Sequence, residues 1–205
     1  KIIFFTSAIS APDKCENNYN ESKKINVEAT SNFIDQALSV GAKVLFFSSD
    51  VVYGEQNYCD EKTKVNPVGR YAEMKNMVED KFLSYPNFKT IRISYVFSQH
   101  DHFLQYLLKC IRSNQTAEIY KYLDRSIIFL NDVIYGCFKI AEIWNEIESN
   151  IINFGGPEVY DRVNIAYILK NNVFNELDYK IVEAPKSFFL NRPKSIRMVS
   201  PILSK

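Results

Sequence analysis

Apolar and polar positions along the chain follow two rhythms. Short apolar runs, Lys1-Ile2-Ile3-Phe4-Phe5 and Val44-Leu45-Phe46-Phe47, have the length and β-prone content of strands buried on both faces of a parallel sheet. Thr90-Ile91-Arg92-Ile93-Ser94 and Ile151-Ile152-Asn153-Phe154 read as further strands, the last turning at Gly155-Gly156. Between them the spacing becomes helical. Val27, Ala29, Phe33, Ile34, Ala37 and Leu38 predict a helix from Asn26 to about Val40, capped by Gly41. Met77, Val78 and Phe82 continue a helix that opens at Tyr71 and stops before Tyr85-Pro86. Asp101 leads a third, with Phe103, Leu104, Leu107, Leu108 and Ile111 on one face. Val133, Ile134, Cys137, Ile140, Ala141 and Trp144 mark a fourth over residues 131–148. Strands alternating with helices imply an α/β fold.

The chemistry concentrates between Val44 and Lys75. The apolar run there ends in Ser48-Ser49-Asp50, which puts hydroxyls and a carboxylate at the carboxyl end of a strand, where open α/β sheets bind ligands. A loop with Gly54, Asn57, Asp60 and Pro67 follows. Tyr71 and Lys75 then stand four apart on one helix face. Two readings are open for that pair. It is either an ordinary surface pair or an acid–base unit in which the ammonium lowers the tyrosine pKa from about 10 by favouring the phenolate. The strand-end serines favour the second, since Ser49 can hydrogen-bond the oxygen that exchanges the proton.

Phe47-Ser48-Ser49-Asp50-Val51-Val52-Tyr53-Gly54, then Asn66-Pro67 and Tyr71-Ala72-Glu73-Met74-Lys75, resembles the extended short-chain dehydrogenase/reductases, and within them the dTDP-4-dehydrorhamnose reductase branch with its S-T-D-Y-V-F and Y-G-x-x-K patterns. The resemblance implies catalytic Ser49, Tyr71 and Lys75. Ser49 would orient a sugar carbonyl, Tyr71 protonate it, and Lys75 tune Tyr71 while holding the nicotinamide ribose. It implies NAD(P)H contacts from Ala8, Ser48, Tyr71, Lys75 and Val96. For a nucleotide-sugar substrate it implies contacts from Asp50, His102, Phe103 and Arg192. Val51 stands where the related 4,6-dehydratases carry glutamate, and Asp50 where the GDP-fucose synthase type carries cysteine. Reduction of a 4-keto nucleotide sugar in deoxysugar or surface polysaccharide biosynthesis fits best. An epimerase of the same superfamily, or a non-catalytic binding subunit, is the alternative.

The expected architecture is a Rossmann-type parallel sheet, N-terminally incomplete, over residues 1–97. Residues 98–205 mainly form a smaller α/β substrate-binding lobe, with helix 131–148 packing back on the sheet. The incompleteness rests on glycine. No G-x-x-G-x-x-G turn to receive a pyrophosphate occurs, and Gly155-Gly156 is in the wrong place. Two βα units, on the order of 60 residues, are expected before Lys1, and the 205 residues alone are expected to bind NAD(P) poorly.

Some residues carry two readings. Asn26 either faces the active site or only starts a helix; Arg192 either meets substrate phosphate or braces a loop. Arg92, inside a strand, reads as a paired structural charge. His100 and His102 lack the further ligands a metal needs, so no metal site is expected. Composition narrows the rest. A net charge of +1 argues against nucleic acid as partner, and 46% hydrophobic residues can fill a core. Cys15, Cys59, Cys110 and Cys137 lie far apart, as free thiols of a reducing compartment do. No apolar run approaches a membrane span and no signal peptide is evident, so a cytoplasmic enzyme, a possible homodimer, is expected.

Overall fold

The computed structural model describes residues 1–203; residues 204 and 205 of the expected lobe lie outside the described residues. Strand β1 (Ile2–Phe5) leads to helices α1 (Pro12–Asn17) and α2 (Tyr19–Lys23). A π-helical stretch (Lys24–Ala29) then runs into α3 (Thr30–Ser39). Asn26 therefore does not start a helix, as the periodicity implied: the chain is already helical from Pro12, where proline is tolerated in the first turn. Strand β2 (Lys43–Ser49) ends in a 3-10 turn (Asp50–Tyr53), and β3 (Gln56–Cys59) precedes α4 (Arg70–Phe82). Then come β4 (Phe88–Ile93), β5 (Val96–Phe97), α5 (His102–Arg112), β6 (Ala117–Tyr120), β7 (Asp124–Ser126) and β8 (Ile128–Phe129). The chain continues through α6 (Leu130–Glu142), β9 (Ile151–Phe154), β10 (Val159–Tyr160), α7 (Arg162–Asn172), β11 (Tyr179–Val182) and β12 (Ser195–Met198). Helix α6 is shorter than the expected 131–148: it ends at Glu142, and turns carry Trp144 to the core.

The main sheet is parallel, in the order β1-β2-β4-β9, with Val44 opposite Phe88 and Ser49 opposite Ile93. Side chains alternate across it. Val44 and Phe46 pack with Ile34 and Ala37 of α3 and with Val78 and Phe82 of α4. Leu45 points the other way, joining Val133, Cys137 and Ile140 of α6, Ile91 of β4 and Ile152 of β9. The period-2 alternation of β2 thus feeds two cores, one under each helical layer. Each of these fully buried aliphatic or aromatic side chains stabilises the fold by about 1.5–3 kcal/mol.

A second sheet, β10-β7-β12-β3, stands at the carboxyl end of the first. Strand β3 comes from the stretch read as plain loop, and pairs with β12 near the chain's end. Strand β9 returns to the main sheet from the later half of the chain. Helices α5 and α7 and strand β6 share a third core built on Leu107, Ile119, Ile165 and Ala166. The space between that core and the mouth of the main sheet holds the candidate site.

Candidate active site

Strand β2 lies inside the sheet, between β1 and β4, so Ser48 and Ser49 finish at its mouth and Asp50 opens the following turn. That turn needs Gly54. Its φ is +70°, and a Cβ there would stand 2.2 Å from the Asn66 carbonyl oxygen. Gly69, at φ +86° against Asn191, gives the chain the bend that starts α4. The first turns of α4 then present Tyr71 and Lys75. Lys75 reaches back under the strand: its Nζ donates to the Phe47 carbonyl oxygen at 2.6 Å. The same Nζ lies 4.6 Å from the centre of the Phe46 ring and 5.9 Å from that of Tyr71.

Electrostatics correct one expectation. Burial pushes the Tyr71 pKa well above its ordinary value, and the nearby charges of Asp50 and Cys15 push the same way. Lys75 does not lower it. The lysine is itself buried, its charge leans on a carbonyl, and burial brings its pKa down to about 8. Tyr71 is accordingly a phenol at neutral pH, not a phenolate.

Ser49 Oγ donates to Asp50 Oδ1 at 3.3 Å and accepts from the Val51 amide at 3.5 Å. Both contacts are long, which leaves the hydroxyl able to turn to another oxygen. Asp50 is held more firmly. Ser94 Oγ donates to Asp50 Oδ2 at 2.8 Å, and Arg125 Nε stands 3.5 Å from the same oxygen. Burial raises the Asp50 pKa against the pull of Arg125, Ser94, Ser49 and the Val51 amide.

Asp50 also lines a cavity of about 480 Å³. Among the sequence candidates, His102, Phe103 and Arg192 line it with Asp50, whereas Ser49, Tyr71 and Lys75 stand beside it rather than in its wall. His102 is exposed at the start of α5, and Phe103 is buried in the lobe core. Arg192 braces a loop: its Nη2 donates to Asp13 Oδ2 at 2.5 Å and its Nη1 to the Phe188 carbonyl at 3.2 Å. Ala8 sits in the half-buried loop after β1, and Val96 in β5, paired with β8. Ser48 Oγ is buried without a hydrogen-bond partner.

The Asn26 amide neither caps a helix nor stays free. It accepts from the Ile9 N–H at 2.8 Å and donates to the Ile9 carbonyl at 2.9 Å, pinning the loop that carries Ala8. Arg92 is paired, as expected, with Glu79 at 2.6 Å. His100 meets Gln99, and no group of three His, Cys, Asp or Glu side chains among the described residues is placed to hold a metal.

A family model described as the RmlD substrate binding domain matches residues 1–167. The chain belongs to that family. UDP-glucuronic acid decarboxylase 6 of Arabidopsis thaliana is 26% identical over 208 residues, which span 91% of this chain and 58% of that protein. The chain thus spans a little under three fifths of that relative's length. Solved structures agree in fold. A hypothetical dTDP-4-dehydrorhamnose reductase from Sulfolobus tokodaii superposes with TM-score 0.86 at 22% identity, over 99% of this chain and 72% of that one. The dTDP-4-dehydrorhamnose reductase of Bacillus anthracis, in complex with NADP, gives 0.84 at 18%, over 99% and 73%. At these identities the likeness is one of fold.

This member of the RmlD family has cavity residues that pattern reading did not single out, Arg125, Tyr106, Tyr160 and Phe188, and with them Tyr95 and Arg162. Arg162 lies 4.7 Å from the Phe103 ring and 5.3 Å from that of Tyr95. One signal was available. Arg125 is a charge between apolar stretches, Ile119-Tyr120 before it and Ile127–Leu130 after it, and a charge there needs a buried partner.

Proposed function

We propose that the chain carries the proton-donating side and the sugar cavity of an NAD(P)H-dependent reductase of 4-keto nucleotide sugars, of the dTDP-4-dehydrorhamnose kind. One observation carries the reading. Tyr71, half-buried near the Asp50 carboxylate, has its pKa pushed up chiefly by burial and keeps its proton through the neutral range. A tyrosine in that state serves a reaction that begins by protonating a ketone oxygen. Enzymes that begin by oxidising a sugar hydroxyl need a base there first, so the epimerase reading is the weaker one.

NAD(P)H, when bound, would supply the hydride for C4 of the sugar. Tyr71 would give its phenolic proton to O4, Ser49 would turn its hydroxyl toward the same oxygen, and Lys75 would hold the ribose and the returning charge. The residues present fit the nicotinamide end of such a cofactor. Ser48 Oγ is a buried hydroxyl without a partner, next in the strand to the Phe47 carbonyl that accepts from the Lys75 ammonium, and Ala8 and Val96 would complete that contact. No glycine-rich turn leads a helix among the described residues, so this fit concerns that end alone. For the substrate, Arg162 offers a guanidinium group to a diphosphate, and Tyr95, Phe103 and Phe188 offer ring faces. Four buried free thiols support a reducing, cytoplasmic setting.

The test is incubation with a dTDP-4-keto-6-deoxyhexose and NADH or NADPH, following both reactants. The expected result is one 4-hydroxy sugar formed per reduced cofactor consumed, with turnover falling at least about a hundredfold in Tyr71→Phe. No consumption of either cofactor, or full turnover in Tyr71→Phe, contradicts the reading.

A further inference from the structure

Helix α1 carries two carboxylates three residues apart, Asp13 and Glu16, which places them on one face. Both bind other parts of the chain. Glu16 Oε1 accepts from the Arg70 amide at 2.7 Å, so it satisfies one of the first N–H groups of α4, where Gly69 has no side chain to cap the helix. Asp13 takes hold of the segment between β11 and β12. Its Oδ2 accepts from Arg192 Nη2 at 2.5 Å and its Oδ1 from Asn191 Nδ2 at 3.2 Å. Asn191 also closes on Gly69, where a Cβ would stand 2.7 Å from the Asn191 carbonyl oxygen. Helix α1, the entry to the helix of Tyr71, and the loop at Asn191 therefore meet at one point.

Arg192 carries that contact into the cavity wall, which it lines together with Phe188. Its Nη1 donates to the Phe188 carbonyl oxygen at 3.2 Å and to Asn191 Oδ1 at 2.8 Å, and its guanidinium lies 4.6 Å from the centre of the Phe188 ring. On its other contact that ring meets Tyr120 edge to face, at 5.1 Å between centres. Asp13 itself is outside the wall, with its side chain 66% exposed. An ion pair so open to water adds little to fold stability, so what it contributes is geometry. Arg192 and Asn191 hold the Asp13 carboxyl below its ordinary range, which keeps the contact charged at neutral pH.

We infer that Asp13 is a positioning residue for ligand binding: from outside the cavity it clasps Arg192, and through Arg192 it fixes the Phe188 ring as part of the wall. This rests on the nucleotide-sugar reading above, in which that ring face meets the ligand. The physical cause is preorganisation. A ring and loop already held in place do not have to be ordered when the ligand arrives. Because Glu16 of the same helix holds the start of α4, one short helix sets both the wall and the entry to the helix of Tyr71.

The test is calorimetric titration with dTDP of the unaltered chain, Asp13→Ala, Arg192→Met, Arg192→Lys and the Asp13→Ala/Arg192→Met double variant, each with a urea melt. Asp13→Ala is expected to bind dTDP about three- to tenfold more weakly with an unchanged urea midpoint. Arg192→Met should lose a similar factor, and the double variant no more than the weaker single one, since both act through one contact. Arg192→Lys should bind as weakly as Arg192→Met, because an ammonium lacks the planar fork that reaches Asp13, Asn191 and Phe188 together. Unchanged or tighter binding in Asp13→Ala overturns this inference and leaves the nucleotide-sugar reading standing. Additive losses in the double variant, full affinity in Arg192→Lys, or a urea midpoint that falls with the affinity of Asp13→Ala also overturn it. No binding of dTDP by the unaltered chain overturns both readings.

Discussion

Two buried arginine–carboxylate pairs flank the carboxyl end of the main sheet and differ in kind. Arg92 and Glu79 are sealed between β4 and α4, with side chains 3% and 0% exposed. Their contact is two-pronged, Nη2 to Oε2 at 2.6 Å and Nε to Oε2 at 3.1 Å, and the guanidinium lies 4.8 Å from the Tyr53 ring. Arg125 and Asp50 meet through one longer contact of 3.5 Å, at the edge of a cavity. The first pair is closed on itself and holds helix to sheet. The second is under-compensated: burial raises Asp50 and lowers Arg125, and Asp50 lines the cavity wall. A charge that only has to hold structure is turned to its partner by its shortest contacts, even though Arg92 Nη1 is buried without a hydrogen-bond partner. One that has to meet a ligand keeps an open side.

The sharpest way to break that contrast is Glu79→Ala. It strands a buried guanidinium and is expected to cost about 3–5 kcal/mol in urea unfolding, with much of the loss recovered when Arg92→Met is added. A cost below about 1 kcal/mol would mean that the sealed pair is not sealed.

Lys75 gives the opposite sign. Its pKa falls from 10.5 in the unfolded chain to about 8 in the fold, which costs the folded state up to about 3 kcal/mol at neutral pH. Lys75→Met should therefore stabilise the protein at pH 7 while removing activity. Between about pH 8 and 10.5 the unfolded chain holds the proton that the fold has lost, so the lysine's contribution to stability rises with pH across that window. Urea melts of both forms at pH 7 and pH 10 read this directly, and the advantage of the Met variant should shrink at the higher pH.

Arg125→Met should cost less than Glu79→Ala, about 1–3 kcal/mol, because Asp50 keeps Ser94 and access to the cavity. Its larger mark should fall on ligand binding. The smallest effect is expected at the surface, where Lys81 and Asp35 pair at 2.6 Å with both side chains nearly half exposed. Lys81→Ala should move stability by less than about 0.5 kcal/mol, and by less still in high salt.

What could be read from sequence follows from how local each signal is. Strand β2 and helix α4 announce themselves, since Val44–Phe47 is a continuous apolar run and Met77, Val78 and Phe82 repeat at helical spacing. The serines and the Tyr71/Lys75 pair come with them because they sit within those same elements. Strand β3 was illegible: Gln56-Asn57-Tyr58-Cys59 has no strand pattern of its own, and its partner β12 lies far along the chain. The start of helix at Pro12, well before Asn26, was hidden by polar residues whose helix is held by tertiary contacts such as the Asn26–Ile9 pair. Arg125 was missed for the same reason as β3, since its partners Asp50 and Pro193 come from opposite ends of the sequence. The expected lowering of Tyr71 failed because spacing places a lysine near a phenol but says nothing of burial or of the Phe47 carbonyl that accepts a hydrogen bond from the lysine.

The most direct test of Tyr71 as a proton donor is its own titration, followed by NMR of ring-labelled tyrosine from pH 6 to pH 11 and assigned by loss of the signal in Tyr71→Phe. The account predicts that the Tyr71 signal keeps its phenol shift through about pH 10, the value at which an ordinary tyrosine is half ionised. A phenolate forming near pH 7 would contradict it, and would return the site to a chemistry that begins with a base.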